Sequence, residues 1–179
     1  VLSDIPEDKL LIIDWDIHAK PQFNYVCQDF GAAFLEAIRG AVGLFRKYKE
    51  IHFVYPKYTN HSIETINYFK KFCEEYSFVY KIITNPKDFA IEKNIAYISV
   101  SDRILGSFLE QCRSKDFEPG VEVGFLSYND TPMKKFIYKG ISVVSTNFKQ
   151  LGSKAAEFVT KDKPLQCYIP TELIIRESL

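Results

Sequence analysis

Glycine and proline are scarce in this chain, eight of each in 179 residues, which argues against long disordered or low-complexity tracts. The few glycines form no GxGxxG, GxxxxGK[ST] or GxSxG pattern, so the nucleotide-binding and hydrolase fingerprints are missing. No apolar run approaches the roughly 18 residues of a membrane-spanning helix. Charge of one sign is lacking as well: 23 Lys and Arg balance 23 Asp and Glu, and no basic block gives a footprint for nucleic acid within this segment. Cys27, Cys73, Cys112 and Cys167 are widely spaced with no CxxC, and they read as reduced, structural thiols of a cytosolic protein. His18, His52 and His61 are not spaced as metal ligands, so no metal or cofactor is expected. No nucleophile–base pair stands out, so the chain does not read as an enzyme. The triplets at Asn60 and Asn129 are formal glycosylation sequons of a kind common by chance.

What the chain has in quantity is aromatic and aliphatic material, with 15 Phe, 11 Tyr and 46% hydrophobic residues, enough for a sizeable core. Its organising stretch runs over residues 94–132. Two apolar runs, 95–100 and 121–126, read as parallel strands covered on both faces. Between them Ile104, Leu105, Phe108, Leu109 and Cys112 recur at helical spacing. Upstream, residues 10–14 form a strand ending in Asp14, Trp15 and Asp16, and Asp29 is placed to cap a long helix over 30–48. Residues 51–55 and 78–84 are further strands flanking a helix over 61–76. Downstream come a strand over 140–145 and a helix to Val159 with Leu151, Ala155, Ala156 and Val159 inside. Short strands on either side of Pro170 complete the pattern. Regular β/α alternation predicts an α/β fold with parallel, Rossmann-like sheets flanked by helices. In such sheets ligands bind beyond the carboxyl ends of the strands. Here those ends carry Ser101 and Asp102 after one strand, and Asn129, Asp130 and Thr131 after another.

The runs VEVGFLSYNDTP, GISVVSTNFKQLGSKAAEFV and IPTELIIRESL resemble the carboxyl half of a LacI/GalR-type effector-binding domain. KLLIIDWD followed by FNYVCQDFGAAFLEAI is similar to the region preceding it. The aromatic-rich wording is most similar to sugar-responsive regulators of Bacteroides-type bacteria, in which a GntR-type winged helix precedes a LacI-like sensor. The resemblance implies a periplasmic-binding-protein-like (type I) fold with two lobes, one complete and one partial. The complete lobe would hold residues 50–132 and 164–179, and the partial lobe 1–49 and 133–163. Further β/α units and the DNA-binding domain would precede Val1. A small sugar effector, a homodimer, a cytoplasmic location and DNA contact only through the absent domain are implied in the same way. A sugar-binding protein of a transport system is the alternative. A receiver domain is disfavoured, because its middle and later strands should end in Asp and Lys, whereas these end in Ser101 and Asn129.

The resemblance also nominates ligand-binding residues. Asp14 stands where the family has a carboxylate facing the sugar, and Asp16 is a second candidate; a carboxylate accepts charge-assisted bonds from two hydroxyls at once. Ser101 and Asp102 match an Asn-Asp pair at a strand-to-helix junction, with Asp102 also placed to cap that helix. Asn129 and Asp130 match an Asp-Asp pair, Asn129 trading a charge for donors. Glu64 stands where the family has an arginine. Lys57 and Tyr58 would rim the cleft, and Phe89 would stack on a sugar face or fill the core.

Overall fold

The structure, a computed structural model, describes residues 5–14, 23–161 and 163–179. In chain order the elements are β1 (Leu11–Asp14), β2 (Asn24–Gln28), α1 (Ala32–Gly40), α2 (Val42–Phe45), β3 (Glu50–Val54), α3 (Glu64–Tyr76) and β4 (Tyr80–Ile83). After these come β5 (Ile95–Ser99), α4 (Asp102–Lys115), β6 (Gly124–Tyr128), β7 (Ser142–Thr146), α5 (Phe148–Lys161), β8 (Gln166–Ile169) and β9 (Thr171–Ile174). Two sheets result: a three-stranded parallel sheet ordered β1-β2-β8 and a six-stranded sheet ordered β4-β3-β5-β6-β7-β9. Among the described strands of the larger one, only β9 runs antiparallel. The α/β class and parallel sheets expected from the alternation are therefore present.

Every residue of β5, β6 and β7 is buried, as the near-continuous apolar wording of β5 requires, while β7 buries Ser142, Ser145 and Thr146 as well as its two valines. One face of the larger sheet is covered by Phe34, Ile38 and Phe45 together with Phe69 and Phe72 of α3. The other is covered by Ile104, Leu105, Phe108 and Cys112 of α4. Each such aromatic or aliphatic side chain contributes about 1.5–3 kcal/mol on burial, so these two layers dominate stability. The smaller sheet has a thinner core of Val26, Leu151 and Ile169, with α5 lying against it.

Several boundaries differ from the sequence reading. The helix expected over 30–48 breaks at Ala41, and its N-cap is Gly31 rather than Asp29. Asp29 acts one step earlier, its Oδ1 accepting the Gly31 N–H at 2.9 Å. The strand expected over 121–126 begins only at Gly124, because a turn closed by the Gly120 N–H on the Val123 carbonyl occupies the preceding residues and leaves Val121 62% exposed. On α5, Leu151 faces inward while Val159 is 77% exposed.

The chain passes between the two sheets after Gln28, after Thr146 and at Pro170. Sheet membership accordingly does not follow the division expected at residues 49/50, 132/133 and 163/164. Helix α1 packs on α3 and β9 of the larger assembly, β7 belongs to the larger sheet, and β8 to the smaller. Alternation gives the order of elements, whereas the partner of an apolar face is fixed by three-dimensional packing. The tail is woven into the larger sheet. Ser178 Oγ donates to the Phe125 carbonyl at 2.7 Å and accepts the Ser142 N–H at 2.8 Å, and Leu179 is buried.

Candidate functional site

Strand order places a switch between β3 and β5: β3 leads outward to β4, whereas β5 leads the other way to β6 and β7. Helix α3, which comes after β3, and α4, which comes after β5, cover opposite faces, so the loops leaving these two strands diverge. A crevice beyond the carboxyl ends of the strands is the expected result. Tyr58 and Ser101 meet there, with their hydroxyls 3.0 Å apart, and the Arg103 guanidinium lies over the Tyr58 ring at 5.3 Å. Lys57 is exposed on the same loop, its backbone N–H donating to the Thr84 carbonyl.

Beyond β6 the chain turns through Asn129, whose φ of 60° is left-handed, a conformation asparagine tolerates better than most residues. Its Oδ1 is buried with no hydrogen-bond partner among the described residues. Lys134, only 2% exposed, lies beneath this turn. Its Nζ donates to the carbonyls of Tyr128 (3.1 Å) and Asn129 (2.7 Å) and pairs with Asp102 at 2.8 Å. Asp102 is the first residue of α4, and Ser101 occupies the cap position without a side-chain capping bond, its hydroxyl facing Tyr58 instead, so the capping role expected of Asp102 gives way to the ion pair. Asp130 is held by Arg176 through two bonds of 2.9 and 2.7 Å, and this guanidinium keeps its carboxyl below the usual range.

At the crossings, the buried Gln28 donates from Nε2 to Asp14 Oδ1 at 2.5 Å and accepts from Thr146 Oγ1 at 2.8 Å. Asp14 itself is exposed, with φ 72°. Beside these, Gln28, Asp29, Glu64, Tyr68 and Tyr168 line a cavity of about 250 Å³. Gly31 is needed here, since a Cβ would come within 2.6 Å of the Tyr68 ring. His61 packs edge-on against Phe30 and Tyr128, at 4.8 and 4.3 Å between centroids, and burial pushes its imidazole down to about 4.

Asp14, Lys57, Glu64, Ser101, Asp102, Asn129 and Asp130 all lie at strand ends, helix starts or the loops joining them. Phe89 does not serve as a stacking surface: it is 6% exposed and packs at 5.4 Å on Tyr97 in the core under α4. Asp16 lies outside the described residues. Sequence reasoning missed Gln28, Thr146, Lys134 and His61. A polar residue closing a short strand was the only visible sign of Gln28 and Thr146, and nothing in the sequence marks Lys134 as buried. Among the described residues no group of three or more His, Cys, Asp or Glu could hold a metal ion, and no helix is long and apolar enough to cross a membrane.

No family model matches the sequence, and no curated protein matches it. Solved structures do match in fold. The Escherichia coli transcriptional repressor ascG superposes with a TM-score of 0.78 at 13% identity, over 99% of this chain and 72% of that one. The trehalose repressor of the same organism gives 0.74 at 16%, over 97% and 71%. A LacI family transcriptional regulator from Enterococcus faecalis, with bound ribose, gives 0.71 at 14%, over 94% and 67%. The chain spans 66% to 72% of the lengths of these and another such structure. Its fold is thus shared with these regulators, over about two thirds of the length of each.

Proposed function

We propose that this chain is the effector-sensing and dimerising part of a bacterial transcription regulator, with a small sugar or sugar derivative bound between the two sheets. The single observation that carries this reading is the set of polar groups at the carboxyl ends of the strands, with the Tyr58 and Ser101 hydroxyls at the β3/β5 switch and the Asp14 carboxylate on the Gln28 amide where the chain changes sheet. The match in fold to repressors, one of them holding ribose, supports it and favours regulation over transport. Asp14, Ser101 and Asn129 would take sugar hydroxyls, Asp16 and Glu64 would add carboxylates, and Lys57 would stand at the rim. Asp102 and Asp130, engaged by Lys134 and Arg176, would order the strand ends rather than grip the ligand. DNA would be held by a GntR-type winged helix amino-terminal to this segment, in the cytoplasm. A homodimer would use the exposed Met133, Phe136 and Tyr138 next to the outer face of α4.

Ligand can alter DNA affinity only through its different affinities for the two settings of the lobes. The test is a titration of the intact regulator with a panel of neutral sugars, read by calorimetry and by operator binding. Saturable binding that changes operator affinity is expected, and Asp14→Asn should weaken sugar binding by roughly tenfold, as loss of a charge-assisted bond implies. A panel without effect on operator affinity would overturn the reading.

A further inference from the structure

We propose that Gln28 is a positioning residue that relays the state of Asp14 to the crossing at Thr146, and so couples ligand at one sheet to the setting of the other. This rests on the reading of Asp14 as an effector contact. Gln28 ends β2 in the smaller sheet, where it pairs with Ile169 of β8, while Asp14 ends the neighbouring β1. Thr146 ends β7 in the larger sheet, opposite Thr171. One side chain therefore touches groups on both sheets, next to all three places where the chain changes sheet.

The chemistry fixes how it is oriented. An ionised carboxylate only accepts, so the amide NH2 must face Asp14 and the amide oxygen must face Thr146. Gln28 is 4% exposed and Thr146 3%, so water does not readily replace either bond. Asp14 is exposed and held in the left-handed region. Its carboxylate is open to a ligand on one side while it holds the buried amide on the other. A hydroxyl donated to that carboxylate draws charge away from the 2.5 Å bond to Gln28 Nε2, and the amide then shifts its hold on Thr146. No proton changes place; the change is in the sharing of hydrogen bonds.

A ligand-free thermodynamic cycle in this chain tests the relay. Asp14→Asn and Thr146→Val are combined, and unfolding by urea is measured in the wild-type and Gln28→Met backgrounds. Gln28→Met keeps the side-chain length and removes both bonds. The relay requires the two substitutions to be non-additive by at least about threefold in the unfolding equilibrium constant, and additive once Gln28 is methionine. Additivity in the wild-type background would overturn it. The second readout is sugar affinity, with D-ribose as first probe and other neutral monosaccharides after it. Thr146→Val should change the dissociation constant at least about threefold in the wild type and not in Gln28→Met. An equal change in both backgrounds would make Thr146 a direct contact and overturn the relay. A panel in which no sugar binds would overturn the effector reading, while the urea cycle still decides the relay.

Discussion

His61 shows how strongly a single position can depend on its surroundings. Its ring is enclosed by Phe30, Tyr55 and Tyr128, and this aromatic shell removes the water that would stabilise an imidazolium. The folded state therefore binds the proton only near pH 4, whereas the unfolded chain binds it near 6.5. Because the folded value is the lower one, this contribution to stability is complete above pH 6.5 and is lost as pH falls toward 4. It amounts to about 3 kcal/mol. His61→Phe should flatten the urea-unfolding profile across that window, and an unchanged slope would show that other groups cause the acid sensitivity. Nothing in the triplet Asn60-His61-Ser62 foretells this burial, because the shell draws on Phe30, far upstream, and on Tyr128, far downstream.

At the scale of elements, the turn before β6 and the carboxyl-terminal tail are locked together at Gly120. This residue has φ 84°, and a Cβ there would overlap the Glu177 carbonyl. Gly120→Ala should cost about 2–4 kcal/mol, combining left-handed strain with displacement of the tail, and is measured as a lowered urea midpoint. Should the variant unfold like the wild type, the tail would not be held at this point. The apolar face of α4 and the buried run of β5 were legible in the sequence, because periodicity reflects directly which face is covered. The start of β6 was not. Val121 and Val123 have strand-like wording, yet the Pro119-Gly120 turn holds them before the strand opens, and hydrogen bonding rather than hydrophobicity sets that boundary. Phe89 was open between cleft and core on sequence grounds, and only its contact with Tyr97 decides for the core.

For the whole molecule, the two sheets differ in how much apolar surface they enclose. The six-stranded sheet lies between two extensive layers, whereas among the described residues the three-stranded sheet has only a few buried side chains. Local opening free energy scales with buried contacts, so the smaller sheet should open first. Hydrogen exchange read by mass spectrometry is expected to show β2 and β8 exchanging at least about tenfold faster than β5 and β6. Equal protection would mean that the crossings bind both sheets into one cooperative unit.

The sequence by itself determined the α/β class, the order of strands and helices apart from β2 and the break between α1 and α2, and the polar residues at the carboxyl ends of the strands. Each of these is a local property, set by the spacing of apolar residues along the chain and by the residue types that close each run. Only the tertiary structure decided which sheet each element joins, since α1 and β7 fit the larger sheet through packing that involves distant residues. It also decided which charges near the cleft are spent. Lys134 on Asp102 and Arg176 on Asp130 join residues far apart in the chain, and no local pattern records such pairs. The Asp14–Gln28–Thr146 chain is of the same kind: three polar residues on separate strands that become neighbours only where the backbone passes from one sheet to the other.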